Sequence, residues 1–324
     1  DPVDLAVWSK SPGTAPPASL VIATGVVVSA PIGPFGRTVP LPRSVEEVTA
    51  PLLGHLLSLR FPGIAVHDLE VVEAKQSHTT KMRLRLDLNS IGLDAGVASQ
   101  VCLKANLSGL RTGLICEREA RFYSIEVGDL PVPTAWYADW DPDHRGNGSG
   151  NGLVLLEDLC QSPGAFGASD DHLGVDGVAA GLESLARIHA ATWCDSRIEA
   201  AAWLPRSMGT DNDSEQVVQF WNYINFNLSD PVYETAVPAW VYENPARLHH
   251  AFDELSAFEL TLDGPRCLVH GDAHQGNSFL RGSGERVWLD WQVVRKGSPW
   301  RDVSYFMVGA LTVDERRAVD RELV

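Results

Sequence analysis

The sequence predicts an α+β protein of two lobes, and three observations carry that prediction. The chain has 324 residues, beyond the usual size of one domain. Between residues 81 and 107 apolar and polar residues alternate with the period of a half-buried strand. From residue 172 onward the apolar residues recur at helical spacing instead. Strands first and helices later is the pattern of an antiparallel sheet followed by a mostly helical lobe.

The elements follow in order. Residues 1–36 are rich in Pro, Gly and Val without a period, and are expected to be an N-terminal extension. From Ser44 to Leu59 a Ser start, Glu46-Glu47 and apolar Leu52, Leu53, Leu56 and Leu57 predict a helix. Met82, Leu84, Leu86 and Leu88 alternate with Lys81, Arg83, Arg85 and Asp87, and Val101, Leu103, Ala105 and Leu107 alternate with Cys102, Lys104 and Asn106. The intervening NSIGLDAGVASQ carries hairpin-turn residues. CEREARFYSIEV predicts a helix and GLVLLEDL a buried strand ending in acids. Val178, Leu182, Leu185, His189 and Trp193 share one helical face, and residues 215–260 are aromatic-rich and mostly helical. His189 on that face is expected to be a satisfied core histidine. The expected organisation is an extension over 1–36, a first lobe over 37–158 and a helical lobe over 159–324. The chain starts with Asp1 and ends inside a helix-like segment, so it is expected to continue beyond both ends.

Composition narrows the class. Apolar residues make up 44%, enough for a packed core. The net charge of −16 repels a nucleic-acid backbone. Five cysteines, an odd number with no C-x-x-C pair, argue against a disulfide framework and a thiolate zinc site, and fit a reducing, cytoplasmic compartment. The longest apolar run, Leu20–Ala30, is too short to span a bilayer, and no basic leader precedes it. Neither a membrane nor a nucleic acid is an expected partner, and the oligomeric state is left open.

The stretch CLVHGDAHQGNSFLRGSGERVWLDWQ, residues 267–292, concentrates oxygen and nitrogen ligands around a short Gly-Ser-Gly loop. If Arg281 pairs with Arg286, Asn277 lies opposite Asp290, with Cβ atoms about 5 Å apart. An amide oxygen and a carboxylate are hard ligands suited to Mg2+. Asp272, five residues before Asn277, is a spare carboxylate able to deprotonate a hydroxyl, and a hard cation beside it suits phosphoryl transfer. Lys104, on the polar face of a strand in the other lobe, is a candidate for the phosphates, with Glu117 or Glu119 as its acid partner.

HGDAHQGN followed by LDWQ resembles the HGDxHxxN and D[FW] motifs of aminoglycoside phosphotransferases and choline kinase-like enzymes, which are small-molecule kinases with a protein-kinase-like fold. LDWQ…G…DVSYF is most similar to the ecdysteroid-kinase-like branch. VCLKAN, EREARFY, PVPTAWYAD, LVLLEDL and LARIHAATW fall in the family's order, so the resemblance spans about residues 40–320. It implies a phosphotransferase acting on an alcohol, with ATP (or GTP) and Mg2+ as cofactors. Asp272 would be the catalytic base, Asn277 and Asp290 the metal ligands, and Lys104 the phosphate holder. Glu119, three residues before Phe122-Tyr123, would pair with Lys104. Glu157, Asp158 and Leu159 would form the hinge that meets adenine. The resemblance also implies that Asp302, in the first turn of a helix opened by Ser298-Pro299, braces the catalytic loop. Trp221, Tyr223, Phe226, Tyr233, Trp240 and Tyr242 lie where such kinases build the acceptor pocket. The loop KQSHTTKM departs from the family pattern in having no glycine.

Two other classes remain at this point. One is a nucleotide-binding module without transfer activity, suggested by the glycine-free loop. The other is a metallohydrolase using His270, Asp272 and His274. In the kinase reading both histidines are structural, Glu117 is a solvated helix acid and Cys116 is packing. The acceptor is a small-molecule alcohol: an aminoglycoside, sterol-like alcohol, amino alcohol or sugar each fits. The acidic balance points to a cationic acceptor and the aromatic content of 215–260 to an apolar one.

Overall fold

A computed structural model describes residues 32–77, 79–108, 113–125, 129–142, 150–207 and 214–324, with backbone alone for 214–220. Most of the expected extension, including the run Leu20–Ala30, lies outside the described residues.

The first lobe begins with α1 (Ala50–Arg60). Thr49, not Ser44, caps it: the Thr49 side chain accepts from the Leu52 amide at 3.4 Å. Pro51 sits in the first turn and lacks the N–H that a helix continuing from Ser44 would need, so the segment from Val45 to Glu47 forms a separate 3-10 turn. Strands β1 (Val66–Gln76) and β2 (Thr80–Leu88) pair antiparallel. The presumed hairpin loop after β2 instead holds a short helix, α2 (Ser90–Asp94), capped by Asn89 accepting from the Gly92 amide at 3.1 Å. An Asn followed by a free amide three residues on favours a cap as readily as a turn. Then come β3 (Gln100–Ala105), α3 (Gly113–Tyr123), β4 (Ala135–Asp141) and β5 (Asn151–Glu157), completing an antiparallel sheet of order β1-β2-β3-β5-β4.

Alternation along β2 and β3 splits the sheet into two faces. Met82, Leu84, Leu86, Val101 and Leu103 pack with Leu53, Leu56 and Leu57 of α1 into one core. The other face presents Lys81, Arg83, Cys102 and Lys104. Helix α3 lies close to β5, and Gly152 permits the approach: a Cβ there would lie 2.0 Å from the Cys116 carbonyl oxygen. Arg37, fully buried, donates to Asp139 at 2.9 Å and ties the incoming chain to β4.

The second lobe contains β6 (Gly164–Phe166), α4 (Gly174–Ala191), α5 (Ser196–Ala200), α6 (Ser214–Leu228), α7 (Tyr233–Ala236), α8 (Ala239–Glu243) and α9 (Pro245–Thr261). They are followed by β7 (Cys267–Val269), β8 (Ser278–Arg281), β9 (Arg286–Trp288), β10 (Arg295–Gly297), α10 (Trp300–Ala310) and α11 (Val313–Leu323). Val178, Leu182, Leu185 and His189 of α4 are buried as predicted, against Trp288, Trp291 and Phe306. Trp193 leaves that face because the helix stops at Ala191, and its ring is exposed. Phe122 of α3 stacks on Trp291 at 3.9 Å between centroids, joining the lobes beside the cleft. The architecture is the expected α+β one, a small antiparallel sheet lobe and a larger helical lobe. Among the described residues no helix is long and apolar enough to cross a membrane.

Candidate active site

Strand β7 runs into the loop His270-Gly271-Asp272, and one buried carboxylate holds that loop. Asp302, 1% exposed in the first turn of α10, accepts from the His270 amide at 2.8 Å and the Gly271 amide at 2.9 Å. It also meets His189 Nε2 at 3.0 Å, which satisfies the core histidine of α4. Burial works to raise the Asp302 pKa, but the bonds from His189 and the Gly271 amide outweigh it and hold the group below its ordinary range. Gly271 has φ +86°, and a Cβ there would lie 2.6 Å from the Val293 carbonyl, so glycine is required. His270 spends both ring nitrogens on backbone: Nε2 bonds the Leu289 carbonyl at 2.6 Å and Nδ1 accepts from the Asp272 amide at 3.3 Å. The Asp272 carboxylate emerges from this scaffold with its side chain 43% exposed. Asn277 Nδ2 donates to its Oδ2 at 2.9 Å. Tyr305, one turn along α10, is raised by burial and by the Asp272 carboxylate to which its hydroxyl hydrogen-bonds.

The hairpin does not have the predicted register. Leu280 pairs with Arg286 and Ser278 with Trp288, which sets Asn277 opposite Leu289, not Asp290. The Leu289 amide donates to the Asn277 carbonyl at 2.8 Å. The cause is the turn: Glu285 pairs back to Arg281 at 2.8 Å, so the loop is Gly282-Ser283-Gly284, with Gly284 at φ +91°. A slip of one residue in a straight strand would turn Asp290 to the opposite face. Asp290 escapes that because its own backbone is left-handed, φ +63°, and turns the chain into a 3-10 segment. Asn277 and Asp290 thereby line the same cleft, of about 400 Å3.

Across that cleft stands Lys104, 5% exposed. Its Nζ lies 2.8 Å from Glu119 Oε2 and 2.8 Å from Asp290 Oδ1, so one ammonium joins β3, α3 and the loop after β9. Glu119, not Glu117, is the partner. Glu117 is not solvated either: it is buried and accepts from Arg121 at 2.8 Å. Burial pulls the Lys104 pKa down, but Glu119 and Asp290 overcome it and leave it raised. Burial pushes Glu119 up. Burial also acts to raise Asp290, yet Lys104 and Lys81 prevail and hold it at about 2.

Lys81 is a site residue that sequence reasoning passed over. It stands directly opposite Lys104 in the β2–β3 ladder, and its Nζ lies 3.4 Å from Asp290 Oδ2. Two ammonium groups opposed on one face repel unless an anion lies between them. The alternation that places Lys81 and Lys104 on polar faces was a usable signal for such an anion. The glycine-free loop closes β1–β2 tightly, the Ser77 amide donating to the Thr79 carbonyl at 3.0 Å. Gln292, two residues past Asp290, donates to Thr79 Oγ1 at 3.2 Å and ties that loop to the second lobe.

Glu157, Asp158 and Leu159, the expected hinge, line the same cleft with their side chains engaged. Arg281 grips Glu157 with two bonds of 2.7 Å and lowers its pKa. Asp158 accepts from Arg83 at 3.0 Å and caps the 3-10 turn that begins with buried Leu159.

Other expected sites are not assembled. Among the described residues no three His, Cys, Asp or Glu side chains gather to hold a metal. His270 is consumed by backbone, and His274 Nδ1 accepts from the Gly276 amide at 3.1 Å, so the hydrolase arrangement of His270, Asp272 and His274 is absent. The six aromatic residues from Trp221 to Tyr242 do not line the cavity of about 530 Å3 in the second lobe. Trp221 stacks on His249, Trp240 lies under Arg247, and Tyr223 and Phe226 are exposed.

A small sheet lobe thus stands over a helical lobe, with a lysine–carboxylate pair reaching across the cleft to a second carboxylate. Residues 181–323, the part of the chain holding Asp272, Asn277 and Asp290, match the model of the "Phosphotransferase enzyme family". The match does not distinguish an ecdysteroid-kinase-like branch. No curated protein matches the chain. Similar solved structures include a choline kinase from Streptococcus pneumoniae, 13% identical with TM-score 0.44, covering 84% of this chain and 79% of that one. They also include a choline/ethanolamine kinase family protein from Mesorhizobium loti, 12% identical with TM-score 0.38, covering 84% and 74%. A third is a spectinomycin phosphotransferase complexed with ADP and spectinomycin, 15% identical with TM-score 0.39, covering 85% and 87%.

Proposed function

We propose that the protein moves the γ-phosphoryl group of ATP to a hydroxyl of a small molecule, with Mg2+ as the cofactor. The observation that supports this most is the convergence of Lys104, Glu119 and Asp290 within 2.9 Å, beside an accessible Asp272. Residues 37–158 would hold the nucleotide from above and residues 159–324 would carry the base. Residues 157–159 line the cleft where adenine would lie.

Asn277 and Asp290 suit Mg2+. Asn277 commits its Nδ2 to Asp272, which leaves its amide oxygen for a cation. Asp290 already attracts two ammonium groups, from Lys104 and Lys81, in the place of a metal cation. When bound, Mg2+ would neutralise phosphate oxygens and hold the nucleotide. Lys104, kept charged by Glu119, would bind the phosphates. Asp272 would orient the acceptor hydroxyl and take its proton. The hydroxyl oxygen bonds to the γ-phosphorus as the β–γ bridging oxygen departs with ADP. Asn277 aims the base, and Asp302, through the His270 and Gly271 amides, fixes its backbone.

A screen of acceptor alcohols for ADP release tests the reading. With an active acceptor, Asp272→Asn is expected to lower kcat by about 10² to 10⁴ with nucleotide affinity retained. Near-normal turnover in that variant would refute the role of Asp272.

A further inference from the structure

A cavity of about 530 Å3 lies between the end of α9, the β7–β10 pair and the start of α10. That is the size of a small-molecule site. Trp193, Phe258 and Trp300 form part of its wall, so an apolar body would be covered. Its charge runs against that of the molecule. Arg206, Arg266, Arg295, Lys296 and Arg301 line it against Glu259 and Asp263, in a chain of net charge −16.

Four of these cations have structural partners. Arg266 pairs with Glu199 at 2.6 Å, Arg301 with Glu259 at 3.2 Å, Lys296 donates to the Glu199 carbonyl at 2.6 Å, and Arg206 to the Leu260 carbonyl at 3.3 Å. Arg295 differs. It is 4% exposed, its Nε and Nη1 have no partner, and Nη2 reaches the Gly271 carbonyl at 3.5 Å. Burial, with Arg301 nearby, pushes its pKa down to about 10. A buried guanidinium with two unmet donors is costly in isolation, and its planar fork matches an oxyanion.

The cavity adjoins the base. A Cβ on Gly271, the residue before Asp272, would lie 2.7 Å from Arg295 Nη2. Helix α10 gives Trp300, Arg301 and Ser304 to the cavity, and the next residue, Tyr305, bonds Asp272.

We propose that this cavity receives the acceptor, and that the acceptor is an alcohol bearing an oxyanion, a carboxylate or a phosphate ester, which Arg295 binds while the apolar body lies against the aromatic wall. The identity of the pocket as an acceptor site rests on the kinase reading; the oxyanion rests on Arg295. The cationic acceptor suggested by net charge is thus disfavoured by the local lining.

Calorimetry on the nucleotide-free protein tests this with ω-hydroxydodecanoate, its methyl ester and ω-hydroxydodecyl phosphate. Wild type should bind at least one of the two anions about tenfold or more tightly than the ester, and the tighter anion identifies the acceptor's charged group. Arg295→Gln should abolish that preference. Arg295→Met should raise the ligand-free Tm, because it removes an unpaired buried charge. Equal affinity for anions and ester, a preference that survives Arg295→Gln, no binding of any probe, or a lowered Tm in Arg295→Met would each overturn the proposal. No phosphoryl transfer is read in these measurements. A failure of the kinase reading, seen as unaltered turnover in Asp272→Asn, would leave the anion preference standing.

Discussion

Replacing Asp302 by Asn tests how the loop carrying Asp272 is held. Asp302 is 1% exposed; its Oδ1 accepts from the Gly271 amide at 2.9 Å, and its Oδ2 from the His270 amide at 2.8 Å and His189 at 3.0 Å. Asparagine keeps the shape but turns one oxygen into an NH2 group. The better orientation leaves the oxygen facing His270 and His189 and points the NH2 at the Gly271 N–H. One bond to a charged acceptor is lost, at roughly 1.5 to 3 kcal/mol, and a buried donor is left opposed. The two surviving bonds weaken because their acceptor is neutral. The expected loss of unfolding free energy is about 2 to 4 kcal/mol at neutral pH. Urea denaturation reads it as a lower midpoint at unchanged slope. Because Gly271 precedes Asp272, turnover should fall more than nucleotide affinity. A loss below about 1 kcal/mol would show that Asp302 does not carry the loop in this way.

Lys104→Met leaves buried Glu119 and half-buried Asp290 without their shared cation, and should cost about 3 to 5 kcal/mol at neutral pH. Burial raises Glu119, so that penalty belongs to its charged form and should shrink as pH falls toward the ordinary carboxylate range; a loss independent of pH would contradict the ion-triad account. In the wild type, Asp290 is held at about 2 from an ordinary 3.8, so its contribution of about 2 kcal/mol is present above about pH 4 and is lost as pH falls through 2; acid denaturation of Asp290→Asn should lack that component. Gly152→Ala drives a Cβ into the Cys116 carbonyl at 2.0 Å and should cost about 3 kcal/mol or more by thermal or urea unfolding; wild-type stability would mean that α3 can retreat from β5 freely.

Much of the fold was legible because periodicity is a local property. The alternation in β2 and β3 announced one apolar and one polar face, and both exist. The spacing of Val178, Leu182, Leu185 and His189 announced the buried stripe of α4. Strands β1 and β4 were not read as strands, since β1 is exposed at most of its positions and β4 is buried only at its centre, without alternation. The 3-10 turn before α1 was absorbed into a longer predicted helix because the role of Pro51 was overlooked.

By itself the sequence named groups that the structure gathers at the candidate site: Asp272, Asn277, Asp290 and Lys104 were proposed from residue type, alternation and motif spacing. Tertiary structure decided how they meet. Glu285 pairs back to Arg281, which shifts the hairpin by one residue, and only the left-handed backbone of Asp290 returns its carboxylate to the cleft. The same holds for the burial of Glu117, the bridge of Lys81 to Asp290 and the unpaired guanidinium of Arg295. Each depends on what a distant segment brings alongside, and a side chain's charge is set by such neighbours rather than by its place in the chain.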